Sequence, residues 1–223
     1  MNIVSGSQTL RCFSGLCWRS FIANIGFMTT SKTILQIKML AVAALVLGLS
    51  QFAHAAELTA FQLIKEGNRH VGEDAKDKVV QLRSEKSVGS LVPNIWYVVF
   101  YDPDATFKAT EVKFGAGKKL EVKRPTRLLE PISGDDKKLD RKKMNVDSDK
   151  ALESAMADPL LTNLKVVASQ MWLERSDDGP RWKVRLWALK LRNPEKDADI
   201  GDMYISADDG KVLRRDLHIN KVD

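Results

Sequence analysis

Two stretches of the chain show an alternating pattern that begins at a tryptophan. In Trp182–Leu186, apolar residues alternate with Lys183 and Arg185, and this period of two places the two kinds of residue on opposite faces of a strand. In Trp96–Phe100, Trp96 and every second residue after it form an equally apolar face. The patterns predict two strands of antiparallel sheets, each with at least one buried face.

The elements around these two strands recur in the same order. A Val-Val pair opens a segment before each of them, Val79–Glu85 in the first case and Val166–Arg175 in the second. A Gly-Lys turn closes each set, in Gly117–Leu120 and in Gly210–Leu213, where glycine supplies the positive φ that a tight hairpin needs. The shared order predicts two similar structural units along the chain.

An amphipathic stretch precedes each predicted sheet. The first lies near Leu58–Glu66 and the second near Ser148–Leu161, where Asp147, Ser148 or Asp149 can serve as the N-cap. A helix that buries its apolar stripe against an antiparallel sheet is an α+β architecture. The predicted fold class is therefore α+β, in two tandem units, each a helix packed on an antiparallel four-stranded sheet.

The predicted boundaries follow from changes in composition. Residues 56–126 form the first unit and residues 148–223 the second. Between them, residues 127–147 mix proline, Ser-Gly, Asp-Asp and basic residues, which is typical of an exposed linker.

The second face of each tryptophan strand is also partly apolar. Tyr97, Val99 and Tyr101 share it in the first unit, and Trp187 with Leu189 does so in the second. An apolar second face has to be covered or has to bind something. Either the two sheets pack on each other or on a partner protomer, or a peptide or protein ligand lies on that surface, for example by strand addition. The predicted protein-binding residues are Tyr97, Tyr101 and Trp187.

The chain before residue 56 reads as a secretory signal peptide. Met39–Leu49 is an apolar run of 11 residues, too short for a membrane-spanning helix, which needs roughly 20. Lys32 and Lys38 precede this run, and Ala53-His54-Ala55 follows it as a small-x-small cleavage site. We expect cleavage after Ala55, no transmembrane segment in the mature chain, and a periplasmic or extracellular location.

The leader is longer than a usual signal peptide. A signal that starts at Met28 has the usual length of about 15–30 residues, whereas one that starts at Met1 does not. This mismatch suggests that translation starts at Met28 and that residues 1–27 are a misassigned start.

Composition looks different once residues 1–55 are set aside. The full chain has 35 Lys+Arg, 29 Asp+Glu and a net charge of +6. Four of the basic residues and no acidic residue lie in 1–55, which leaves 31 against 29, a net charge of +2. A net charge this close to zero argues against a nucleic-acid partner. Cys12 and Cys17 also lie in the leader, so the mature chain offers no thiolate nucleophile, cysteine metal ligand or disulfide.

The sequence shows no recognisable catalytic constellation. No zinc-protease, nucleophile-elbow or phosphate-loop motif is present. The acidic pairs, such as Asp102-Pro103-Asp104, lack EF-hand spacing and are typical of turns. His70 and His218 have no paired partner in the sequence pattern. We expect no enzyme activity, no cofactor and no metal, with the basic clusters forming a solvated surface or contacting anionic envelope components.

The second unit resembles the PepSY and PepSY-like domains of exported bacterial proteins. The resemblance rests on Trp182–Leu186 followed by Met203–Leu213, which ends in an Asp-Gly-Lys-Val-Leu hairpin. In the first unit, Gly115–Leu120 lacks the Asp-Gly pair. The resemblance implies a non-catalytic binding or inhibitory module linked to peptidases or to the cell envelope. This functional inference is an analogy, because one fold can carry many functions.

These observations predict an exported, non-catalytic binding protein with a protein or peptide ligand. The resemblance adds that such a protein could be an inhibitor or could be associated with the cell envelope. The first alternative is a structural or assembly subunit of the cell envelope. A less favoured alternative is an enzyme of unrecognised type.

Overall fold

A computed structural model describes residues 58–126 and 138–223. The predicted signal peptide, its cleavage site, the start at Met28 and most of the predicted linker lie outside the described residues. The described chain forms one antiparallel sheet and two short helices. The helices are α1 (Ala60–Gly67) and α2 (Ser148–Met156), and the strands are β1 (Val79–Ser84), β2 (Ile95–Tyr101), β3 (Ala109–Gly115), β4 (Lys118–Lys123), β5 (Val166–Ser176), β6 (Gly179–Leu189), β7 (Asp197–Ser206) and β8 (Val212–Leu217).

The strands are ordered β4-β3-β2-β1-β5-β6-β7-β8 in a single eight-stranded sheet. The prediction of an α+β fold with two separate helix-on-sheet units is therefore wrong, because the protein is mostly β and its two halves share one sheet. The physical reason lies at β1 and β5. Each would be an edge strand with unpaired backbone groups if its half stood alone, and their pairing gives partners to the groups at the middle of the seam.

The seam between the halves is completed by serine side chains. Only Leu82 with Leu173 and Arg83 with Trp172 pair directly across β1 and β5. Beyond them, the Met171 N–H donates to Ser84 Oγ, 2.8 Å away. Backbone donors thus keep partners where the regular ladder stops, as buried amides require.

Both helices pack on the same face of the sheet. One hydrophobic cluster contains buried residues of α1, of α2 and of strands from both halves, so neither half has a core of its own. Its largest fully buried aromatic side chains are Trp182, Phe100 and Phe114. None of the helices in the described part of the chain has the length and hydrophobicity needed to cross a bilayer.

The second helix is shorter than the sequence predicts. Helix α2 begins after its N-cap Asp147, whose carboxylate accepts the Ser148 N–H, and this confirms one of the proposed caps. It ends at Met156, and a short 3-10 turn follows at Pro159–Leu161. Proline at 159 explains the break, because the residue before a proline disfavours the helical region.

The predicted turns and strands around the tryptophans are present. Trp96–Phe100 lies within β2 and Trp182–Leu186 within β6. Ala116 and Gly117 form the β3–β4 turn, both with positive φ, and Gly210 lies in the β7–β8 turn. Of the predicted linker, residues 138–147 are described, and the Leu139 side chain is buried in the core cluster.

Candidate protein-binding surface

The sheet has a second face, which we call the open face. It carries a small apolar cluster of Val80, Val99 and Ala109, with Tyr101 packed against it. Neither α1 nor α2 contributes to this cluster, since their buried residues belong to the core on the other side. The halves meet edge to edge in one sheet, so the expectation that two sheets pack on each other is wrong. A partner protomer or a ligand remains as the means of covering this face.

One line of side chains crosses the open face, perpendicular to the strands, from β3 to β8. We call it the cation–aromatic row, because cations and aromatic rings alternate at every strand along it. Each member is the register partner of the next, and Glu121 on β4 follows at one end. The row is Lys113, Tyr97, Arg83, Trp172, Lys183, Tyr204 and Arg214.

The cations of the row lie close to the rings. The Arg83 guanidinium is 4.1 Å from the centroid of Tyr97, and Lys113 Nζ is 5.0 Å from the same ring. In the second half, Lys183 Nζ is 5.4 Å from the Trp172 ring. These distances are within the range of cation–π attraction, about 6 Å.

Each cation of the row also pairs with a carboxylate beside the row. Four ion pairs do this: Arg83 with Glu111 (2.8 Å), Lys113 with Glu85 (3.2 Å), Lys183 with Asp202 (3.3 Å) and Arg214 with Asp216 (2.6 Å). Side chains held between a ring and a carboxylate keep few rotamers. The row is therefore ordered and locally charge-balanced before any partner arrives.

Hydrogen bonds at the first-half end of the row keep its groups charged. The Tyr97 hydroxyl donates to Glu85, and this bond is the main reason that the pKa of Glu85 lies below its ordinary value. Hydrogen bonds with Tyr97 and with Glu85 raise the pKa of Lys113. The Glu85 carboxylate and the Lys113 ammonium are therefore both charged at neutral pH, and they form an ion pair there.

Bidentate bonding occurs beside the row in the second half. Arg185 Nε and Arg185 Nη2 donate to the two carboxylate oxygens of Asp202, at 2.9 and 3.3 Å. The hydrogen bonds with Asp202 raise the pKa of Arg185. The planar fork is the strongest geometry for an arginine–carboxylate pair, and it holds the surface between β6 and β7 in one conformation.

The three residues predicted from the sequence all lie on the open face. Tyr97 is only 8% exposed, because Arg83 and Lys113 lie over it, so it supports the surface more than it presents a free ring. Tyr101 and Trp187 are half-buried, and Trp187 lies outside the row, with Lys86 Nζ 4.8 Å from its ring.

Sequence reasoning missed the centre and the second half of the row. Trp172 and Tyr204 are half-buried open-face rings, and neither was predicted as a contact residue. Period-two alternation marks Trp172, since it occupies the polar side of the Val166–Arg175 segment. The meeting of Trp172 with Arg83 has no sequence signal, because β1–β5 pairing is long-range.

His70 and Asp102, two other residues noted in the sequence, make their contacts within the first half of the chain. His70 Nε2, in the 3-10 turn after α1, lies 3.4 Å from Glu66 near the end of that helix. Asp102 accepts the Asp104 N–H in its own turn, as the turn interpretation predicts. It also accepts the Thr110 hydroxyl on β3 and lies 3.3 Å from Arg124, which follows β4. Within residues 58–126 and 138–223, no three His, Cys, Asp or Glu side chains come together as a metal site.

Comparisons of the chain with models of protein families, with curated proteins and with solved structures found no match. The PepSY-like resemblance stays a prediction, and the open face is interpreted from its own chemistry.

Proposed function

We propose that this is an exported, non-catalytic binding protein whose open face binds a protein partner. The cation–aromatic row is the observation that carries the proposal. The leader, with its apolar run and its small-x-small site, supports a periplasmic or extracellular location.

The residue types of the row are those that dominate protein interfaces. Tyrosine, tryptophan and arginine are enriched among the residues that carry most of the binding energy. Besides the largely covered Tyr97, the row has one tyrosine, one tryptophan and two arginines on one continuous sheet. Ordering rotamer-rich side chains costs roughly 0.5–1.5 kcal/mol each on binding. Ion pairs and rings reduce that cost here by ordering the side chains in the free protein.

The pairing of the cations disfavours a polyanion as the ligand. Nucleic-acid affinity comes mainly from Lys and Arg that neutralise phosphates. Arg83, Lys113, Lys183 and Arg214 already face carboxylates, which would repel a phosphate. A protein surface of mixed charge fits this balanced face better.

Site-specific photo-crosslinking in cells that export the protein tests the proposal. A photoreactive phenylalanine derivative replaces Tyr204 on the open face, or Gln170 in a second variant. The matched control replaces Glu153, an exposed residue of α2 on the covered side. We expect ultraviolet light to give a discrete protein adduct from positions 204 and 170 and none from 153. The proposal is contradicted if neither open-face position gives an adduct. It is also contradicted if all three positions give adducts in equal amounts.

A further inference from the structure

The two halves of the sheet carry complementary side chains at equivalent positions of the open face. Because the seam lies between β1 and β5, the strands correspond as β1 to β5, β2 to β6, β3 to β7 and β4 to β8. Along the row, a cation in one half corresponds to a ring in the other, and the terminal acid corresponds to a cation. The corresponding pairs are Arg83 and Trp172, Tyr97 and Lys183, Lys113 and Tyr204, and Glu121 and Arg214.

This arrangement makes the open face complementary to itself. A twofold axis parallel to the strands, lying above the seam, would bring each position of one copy opposite its corresponding position in a second copy. Arg83 of one copy then faces Trp172 of the other, and Lys113 faces Tyr204. An isologous interface needs this kind of self-complementary patch.

The positions on either side of the row also avoid repulsion under the same rotation. The register places Gln81 opposite Glu174 on one side of the row and Glu85 opposite Gln170 on the other. One strand further out, Val99 faces Arg181 and Ile95 faces Arg185. None of these pairs opposes two like charges.

The available area matches a standard interface. Eight strands spaced about 4.8 Å apart span roughly 34 Å, and strand segments of about six residues are roughly 20 Å long. The open face thus offers on the order of 700 Å² per copy, near the roughly 800 Å² per partner of a stable protein–protein interface. Its mixed charge and half-buried rings suit a dimer of folded protomers.

We infer that a second copy of this chain covers the open face, in a twofold dimer with the two sheets face to face. The inference rests on the proposed function, since it takes the open face as the protein-binding surface, and it identifies the partner.

Sedimentation velocity of the protein as exported by its host tests the dimer. We expect a concentration-dependent monomer–dimer equilibrium for the unaltered chain. W172R places a second guanidinium opposite Arg83 twice per dimer, and we expect it to weaken association at least tenfold. W172F keeps the ring, and E153R makes a charge reversal on the covered side, so both should associate as the unaltered chain does. An unaltered chain that stays monomeric at about 100 µM overturns the inference.

Thiol crosslinking gives a second measurement that does not depend on the folding of W172R. Gln170 lies on β5 beside the proposed axis, so two Q170C chains should be joined by a short bifunctional maleimide. E153C on the covered side is the control. The exported chain without an introduced cysteine gives the background, because Cys12 and Cys17 lie in the leader. Dimer formation by Q170C that is no faster than by E153C overturns the geometry.

The photo-adducts separate this inference from the proposed function. An adduct at Tyr204 of twice the chain mass supports both. An adduct with a different protein, together with a monomeric purified chain, keeps the proposed function and overturns the dimer. No adduct at the open face overturns both.

Discussion

The backbone N–H of Phe61, in the first turn of α1, donates to Asp147 Oδ1, 3.1 Å away. The same oxygen accepts the Ser148 N–H at the start of α2, at 2.7 Å. A second bond runs from the Ala60 N–H to Ser148 Oγ, at 3.1 Å. The N-cap of the second-half helix therefore also caps the first-half helix, and the two halves are joined on the covered side as well as along the sheet.

Replacement of Asp147 tests this shared cap. D147A removes the oxygen that accepts the backbone N–H groups of Phe61 and Ser148, in the first turns of the two helices. An N-cap substitution to alanine costs about 0.5–2 kcal/mol. We expect the free energy of unfolding in urea to fall by roughly 2 kcal/mol, in a single transition. D149A, in the first turn of α2 and exposed, is the matched control and should cost about 0.5 kcal/mol or less. Equal losses for the two variants would argue against a shared cap.

The seam serine gives the next prediction. S84A removes the Oγ that accepts the buried Met171 N–H, and a buried donor left without a partner costs about 1–3 kcal/mol. We expect the urea midpoint to fall accordingly with an unchanged m-value. S90A, in the exposed β1–β2 loop, changes the same atoms away from the seam and should move the midpoint much less. A larger effect from S90A than from S84A would show that the serine is not a seam element.

Gly201 on β7 should tolerate no side chain. Its φ is +108°, and a Cβ there would lie 2.0 Å from the Asp216 carbonyl oxygen on β8. Backbone strain and the clash together lead us to expect a loss of about 3 kcal/mol or more for G201A. G72A is the same substitution at a site with no heavy atom within 4 Å of the new Cβ, and it should be close to neutral. Thermal unfolding of the two variants, side by side, measures the difference.

Acid should destabilise the fold through Asp158. Burial alone would raise the pKa of its carboxyl, but hydrogen bonds from Arg215 and from the Leu160 N–H outweigh burial and lower that pKa below the ordinary value. A folded pKa below the unfolded pKa of about 3.9 gives stability that is present above that pH and is lost as the pH falls through the folded pKa.

D158N tests this linkage. The variant should be less stable than the unaltered chain at pH 7, because the charged bond to Arg215 is lost. Its urea midpoint should then decline less steeply from pH 5 to pH 3, because one carboxylate no longer titrates. Parallel pH profiles for the two chains would contradict the assignment.

The sequence reveals much of the local structure of this protein. Alternation at Trp96 and Trp182 identifies β2 and β6, and glycine at 117 and 210 identifies two hairpin turns. These features depend on residues close together in the chain, where strand periodicity and turn conformation act directly. Asp147 is identified as an N-cap for the same reason.

The candidate surface was only partly predictable. Tyr97, Tyr101 and Trp187 lie on the face that alternation assigns to them, but the row that orders the face runs across strands. Its centre is the pairing of Arg83 with Trp172, two residues far apart in sequence. Cross-strand neighbours depend on register and strand order, which composition and periodicity leave open.

By itself, the sequence determined the two tryptophan strands, the two segments that open with Val-Val, two hairpin turns and which side chains share a strand face. These follow from local backbone conformation and hydrophobic burial. Only the tertiary structure decided that the halves form one sheet and not two units. That outcome depends on the pairing of β1 with β5, in which each strand covers part of the other's edge and one core serves both halves. The same pairing brings Arg83 beside Trp172 and so creates a continuous cation–aromatic row.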